Sequence, residues 1–203
     1  MISRRAVTTF AVCLLLIGGS QIATASLLTN GTFDTNLSGW TIGAGTTTGV
    51  TWSSGTAHIG RPGTPGVAIF EQSFNIPAGA GQLEIGFDYE WQVSKPTNTD
   101  TFLVELVYQS TSGPVTATLL TQGSDTATFG PPATSFQTVV GLSNLSNVAN
   151  NGTLRFKHTE VKSPVGTRME LDNVAADVVP EMSAFVVWTA LTGVGMVVGQ
   201  RRR

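Results

Sequence analysis

From residue 83 to residue 93 the chain alternates without a break. Leu83, Ile85, Phe87, Tyr89, Trp91 and Val93 fall on one parity, and Glu84, Asp88, Glu90 and Gln92 on the other. Successive side chains of a strand point to opposite faces, so the pattern predicts a strand with one dry and one wet face. A second strand over 102–108 aligns Phe102, Val104, Leu106 and Tyr108. Lys95, Pro96, Thr97 and Asn98 supply turn chemistry between the two. Further strands are predicted over 67–74, 115–121, 135–142, 152–160 and 168–177, with shorter ones over 40–42, 50–52 and 56–59. The stretch GRPGTPG at 60–66 and Gly130-Pro131-Pro132 read as loops. Helical periodicity is nearly absent between residues 26 and 178. Roughly eight to ten short strands in about 150 residues predict an all-β, two-sheet jelly-roll sandwich. A domain of that size buries about two thirds of its unfolded surface.

The pattern changes at both ends. Arg4 and Arg5 precede an apolar stretch over 6–17, and Ala23-Thr24-Ala25 closes it with small residues. This order predicts a signal peptide over 1–25, cleaved between Ala25 and Ser26. At the other end, residues 184–199 carry no charge, and Arg201, Arg202 and Arg203 follow. Sixteen helical residues would rise about 24 Å, short of a bilayer core of about 30 Å. Flanking residues and snorkelling arginines extend such a span. A transmembrane helix over 184–200 is therefore predicted, from Ala184 through Trp188 to Gly199, with the three arginines on the cytoplasmic side. A buried C-terminal helix is the competing reading, and it leaves the arginine cluster without a reason.

Charge and cysteine content narrow the exported part, residues 26–178. It holds six basic against twelve acidic residues, a balance near −6, whereas the whole chain is near −2. Such a surface repels phosphates, which argues against a nucleic-acid partner. Cys13 is the only cysteine and lies in the signal region, so a mature chain has neither disulfide nor thiolate chemistry.

Two resemblances follow from these residues. Val179-Pro180-Glu181, an apolar segment and terminal arginines resemble the PEP-CTERM sorting signal of exported bacterial proteins. Met182 stands where that motif has its second proline. The resemblance implies a motif over 179–183, an anchor over 184–200 and a basic tail over 201–203. It also implies an exosortase-type processing enzyme as partner, a cytoplasmic-membrane stage with the domain outside, and a later place on the surface or in an exopolysaccharide matrix. The stretch LLTNGTFDTNLSGWT at 27–41, IFEQSFNIPAG at 69–79 and LDNVAADV at 171–178 resemble the landmarks of carbohydrate-binding-module-like, galactose-binding-like jelly rolls. That resemblance implies a first strand ending near Asp34 and a closing strand through Asp172. In many such domains these two elements meet around a structural Ca²⁺.

Candidate chemistry is sparse. Asp34 and Asp172 could offer carboxylates to calcium, which takes six to eight oxygen ligands; they read equally as a turn cap and an acceptor for neighbouring amides. Trp52 and Trp91 could stack on sugar rings, though Trp91 shares parity with core residues and both read as structural aromatics. Trp40, in a Gly-Trp turn, reads as a core plug. Asp88 and Glu90 share a strand face about 6.6 Å apart, within glycosidase spacing, but such pairs normally flank a cleft from different elements. No catalytic residue is assigned. His58 and His158 lie a hundred residues apart, and His158 shares parity with Leu154 and Phe156. The sequence thus predicts an exported, surface- or matrix-associated, non-catalytic protein, with a carbohydrate-binding module of defined glycan as the alternative and polysaccharide as a partner in either case.

Overall fold

The computed structural model describes residues 26–92, 99–143, 145, 150–161 and 166–180. Among them ten strands follow the alternating segments: β1 (Thr41–Ile42), β2 (Val50–Ser53), β3 (Thr56–Ile59), β4 (Gly66–Ile76), β5 (Gln82–Gln92), β6 (Thr101–Ser110), β7 (Gly113–Gly123), β8 (Thr134–Gly141), β9 (Asn150–Glu160) and β10 (Arg168–Val178). Each strand predicted from the alternation has its counterpart. The signal region, the turn at Lys95 to Asn98, and the tail from Glu181 through Met182 and Ala184 to Arg203 lie outside the described residues.

Two five-stranded sheets form, β1-β4-β9-β6-β7 and β2-β3-β10-β5-β8, and every pairing between strands is antiparallel. This is the expected all-β sandwich. The inward rows are the predicted parities: Leu83, Ile85, Phe87, Tyr89 and Trp91 from β5 meet Phe102, Val104, Leu106 and Tyr108 from β6. Aromatic pairs knit the layers, with Trp40 stacked on Phe70 at 4.8 Å and Phe87 edge-on to Phe156 at 5.2 Å. Such pairs add about 0.5–1.5 kcal/mol each beyond area burial. Trp40 is the core plug its turn suggested; its indole N–H donates to the carbonyls of Thr29 and Asn30 at 3.1 and 3.2 Å.

One element departs from expectation. The segment ending near Asp34 is not a strand. Asn30 and Phe33 adopt φ of 53° and 49°, a left-handed conformation that interrupts extended backbone. The segment still runs beside β10: Leu27 N donates to Ala176 O at 2.8 Å, and Val174 N donates to Gly31 O at 2.9 Å. The closing strand is irregular at the same place, with a bulge between Asp172 and Ala175 and Asn173 at φ 51°. Bulges re-aim side chains next to sites, and this one sits beside Asp172.

Candidate functional site

An open groove of about 570 Å³ lies at one end of the sandwich, where β10 begins. Pockets for small ligands run roughly 300–1,000 Å³. One wall is the segment between β1 and β2, carrying Thr47, Thr48 and, at the start of β2, Thr51. The other is the Gly- and Pro-rich loop after β3, carrying Arg61 and Thr64, and Arg168 of β10 completes the lining. The sequence dictates this local shape. Gly60, Gly63 and Gly66 take φ of 96°, 77° and 149°, a region that L side chains avoid.

Hydrogen bonds fix both walls. Thr47 N and Thr48 N donate to Val67 O at 2.7 and 3.1 Å, and Gly60 N donates to Gly49 O at 2.9 Å, tying wall to wall. From beneath, Glu160 Oε1 accepts from Gly63 N at 2.9 Å. Polar groups in the lining are left without partners. Thr48 Oγ1 and Arg168 Nε are buried and make no hydrogen bond. Arg168 spends one arm on Glu170, Nη2 to Oε1 at 2.6 Å. The Arg61 guanidinium, exposed, makes no ion pair among the described residues.

Below the loop sits a buried polar cluster. His158 Nε2 lies 2.8 Å from Thr167 Oγ1, and that hydroxyl donates to Asp100 Oδ2 at 2.8 Å. Asp100 Oδ1 accepts from Val161 N at 2.9 Å. Burial drives the His158 pKa down to about 4, against the opposing pull of Asp100. Burial, with Asp100 nearby, raises that of Glu160. His158 is wholly buried, in keeping with its parity with Leu154 and Phe156, and its Nδ1 has no partner.

The outer face of the β10 sheet is polar. Glu170 accepts from Arg168 and, at 3.3 Å, from Gln92 Nε2, and it lies 3.3 Å from His58 Nε2. Burial and then Arg168 lower the His58 pKa despite Glu170, so the ring is neutral at pH 7 and the contact is no ion pair; its Nε2 lies 3.1 Å from Thr56 Oγ1. Asp88 accepts from Ser135 and Asn173 at 2.6 and 2.8 Å, and Glu90 from Gln92 at 2.5 Å. The Asp88–Glu90 pair therefore sits in a network on a flat face, as its placement on one strand suggested.

Asp34 and Asp172 do come near one another. The Asp172 pKa is raised, first by burial, with the charges of Asp88 and Asp34 adding to it against the Asn173 amide bond. Asp34 Oδ2 accepts from Thr32 Oγ1 at 2.8 Å, and Asp172 Oδ1 from Asn173 N at 2.7 Å. Asp172 thus accepts from a neighbouring amide, as the competing reading had it, whereas Asp34 takes its bond from a side-chain hydroxyl. Among the described residues no three His, Cys, Asp or Glu side chains converge to hold a metal. A divalent ion here would rest on two carboxylates and main-chain oxygens.

The tryptophans separate. Trp91 is 1% exposed, and its indole donates to Gln122 Oε1 at 2.8 Å; it offers no face to a ligand, which corrects its candidacy for sugar stacking. Trp52 is 41% exposed, with its N–H on Phe33 O at 2.6 Å. It lies outside the groove, since Trp52 and the groove residue Thr51 point to opposite faces of β2. The sequence reading passed over Arg61 and Arg168. A signal was present: two of the six cations in residues 26–178 flank the Gly/Pro loop or its neighbouring strand. At the ends, Ser26 Oγ accepts from Ala176 N at 3.0 Å, and Val179 N donates to Gln82 O at 3.1 Å. Pro180 is the last described residue, and no helix among the described residues is long and apolar enough to cross a membrane.

No family model matches the chain, and no curated protein matches it in sequence. Solved structures do resemble it. A segment of the enzymatically active domain of tailspike protein 4 from bacteriophage CBA120 superposes with a TM-score of 0.51 at 20% identity, over 76% of this chain and 21% of that one. The chain thus spans about a fifth of the tailspike chain. TmCBM61, solved with β-1,4-galactotriose, gives a TM-score of 0.49 at 12% identity over 77% of this chain and 100% of that one. The N-terminal cellulose-binding domain of Cellulomonas fimi β-1,4-glucanase C gives 0.49 at 16% over 78% and 100%. The likeness is one of fold.

Proposed function

We propose that the chain is an exported, non-catalytic protein of the bacterial surface or extracellular matrix whose sandwich binds polysaccharide. The groove at the start of β10 carries this reading. Its lining of threonine hydroxyls and guanidinium groups suits a ligand that is mostly oxygen. The landmarks shared with carbohydrate-binding modules point the same way, and the groove favours a glycan binder over a purely structural component. Export by the segment at 1–25, anchoring by 184–200 and processing at the 179–183 motif by an exosortase-type enzyme complete the proposal. A glycan array probed with the full-length chain tests binding. Retention of at least one polysaccharide class is expected; a folded protein that retains none overturns the reading.

A structural Ca²⁺ held by Asp34 and Asp172 belongs to the same proposal. It would neutralise like charges that no cation among the described residues opposes. Calcium is expected to raise the melting temperature by several degrees, and EGTA to reverse it. Asp172→Asn should abolish the response. A melting curve indifferent to both reagents removes the ion.

A further inference from the structure

We infer that the groove selects acidic polysaccharide, a chain bearing sugar carboxylates, and holds it through Arg61 and Arg168 rather than by stacking. The inference rests on the glycan-binding reading and specifies its ligand. Four observations carry it.

The first is charge placement. Residues 26–178 carry a balance near −6, with only six cations. Arg155 is consumed by Glu71, Nε to Oε2 at 2.7 Å. Arg61 and Arg168 both line one groove. A local cationic site in an acidic domain concentrates the potential felt by an anion.

The second is unused bonding capacity. Glu170 holds Arg168 Nη2 in place, and the Arg168 side chain stays 30% exposed where it lines the groove. A guanidinium presents its donors as a planar fork that matches a carboxylate. Glu170 neutralises part of that charge, and Arg61 brings a second guanidinium that no carboxylate among the described residues engages.

The third is the hydroxyl row. Thr51 and Thr64 place hydroxyls along the groove. These suit the ring hydroxyls of the sugar that bears the carboxylate. The fourth is what the lining lacks. Among the described residues no aromatic side chain lines the groove, so the lining offers polar and ionic contacts in place of stacking. Binding of that kind weakens as salt screens it.

Titration calorimetry on the full-length chain tests this with polygalacturonate, its fully methyl-esterified form, neutral dextran and dextran sulfate. Polygalacturonate is expected to bind, with affinity falling at least tenfold between 50 and 500 mM NaCl. The methyl ester is expected to bind at least tenfold more weakly. Arg61→Ala, on an exposed side chain that the fold does not use, should lose about tenfold. Thr51→Val should weaken binding severalfold, and Arg155→Gln, a cation away from the groove, should change nothing. Equal binding of the ester, or insensitivity to Arg61→Ala, overturns the carboxylate claim while leaving a glycan-binding protein. Binding of dextran sulfate without polygalacturonate also overturns it. Loss of equal size in Arg155→Gln marks diffuse electrostatics and overturns the groove as the site. Failure of every glycan, on the array and here, takes down the glycan reading itself.

Discussion

Trp91 and Trp52 show how much one residue's position decides. Both are indoles with a bonded N–H, yet one is core and the other is half in water. Trp91→Ala should cost about 3–5 kcal/mol. Trp52→Ala should cost about 1 kcal/mol, mostly the lost bond to Phe33 O. Urea unfolding of both variants checks the contrast; equal costs would contradict the burial difference. The parity of Trp91 with Leu83, Ile85 and Phe87 made its burial legible in the sequence. Trp52 sits in a segment of four residues, too short for alternation to orient it. His158 yields a second expectation. Its folded pKa is about 4, below the ordinary 6.5, so between those values the unfolded chain binds more protons. Stability from this residue is complete above pH 6.5 and is lost as pH falls toward 4, by about 3 kcal/mol in all. Glu160 has the opposite sign: its raised pKa contributes stability at low pH that is lost as pH climbs through the folded value. The clean readout is a difference. The stability advantage of the native chain over His158→Gln should shrink steadily between pH 6.5 and 4. A gap that stays constant across that range would mean that the ring is not held neutral by burial.

Elements were more legible than their partners. Alternation located each strand because one face of each sheet is dry and the other wet. No local pattern could tell that β10 would lie between β3 and β5, or that β9 would lie between β4 and β6, since such neighbours are set by packing over a hundred residues. The failed strand near Asp34 has a local cause that the alternation of residue types does not carry. Phe33 is a bulky residue in a left-handed conformation, strained unless its surroundings hold it there. Its ring is fully buried against Trp40 at 5.5 Å and Phe70 at 5.9 Å, and that packing holds it. Asn173 at the β10 bulge is the counterpart in the closing strand, with a residue type that tolerates the same region. Asn173→Ala should destabilise the domain by about 1–2 kcal/mol through that backbone conformation, with the loss of its bond to Asp88 adding to it. Asn173→Gly, freed of the backbone cost, should recover most of the loss in a denaturant titration. A glycine variant as weak as the alanine one would assign the effect to the side-chain bond instead.

At the scale of the whole molecule, salt should push two properties in opposite directions. A balance near −6 over residues 26–178 sets acidic groups against one another, and Asp34, Asp88 and Asp172 concentrate that repulsion on one face. Screening relieves such repulsion. Monovalent salt from 50 to 500 mM should therefore raise the melting temperature by a few degrees while it weakens ligand capture in the groove. Thermal melts alongside binding isotherms at each salt concentration check the pair. A melting temperature that falls with salt would mean that the ion pairs of Arg155 and Arg168 outweigh the repulsion. The overall charge balance was readable from the sequence. The repulsion at Asp172 was not, because Asp88 and Asp34 act on it only once the sheet has formed.

β10 gives the molecule a direction. It begins at Arg168, in the wall of the groove, and ends at Val178, about 30 Å away at strand rise. Ser26 and Val179 are both bonded at the far end, on Ala176 and Gln82. The polypeptide therefore comes in and goes out through one pole and presents its cationic cleft at the other. A sandwich tied down by either terminus would stand like a post, with the groove a full domain's height above whatever holds it.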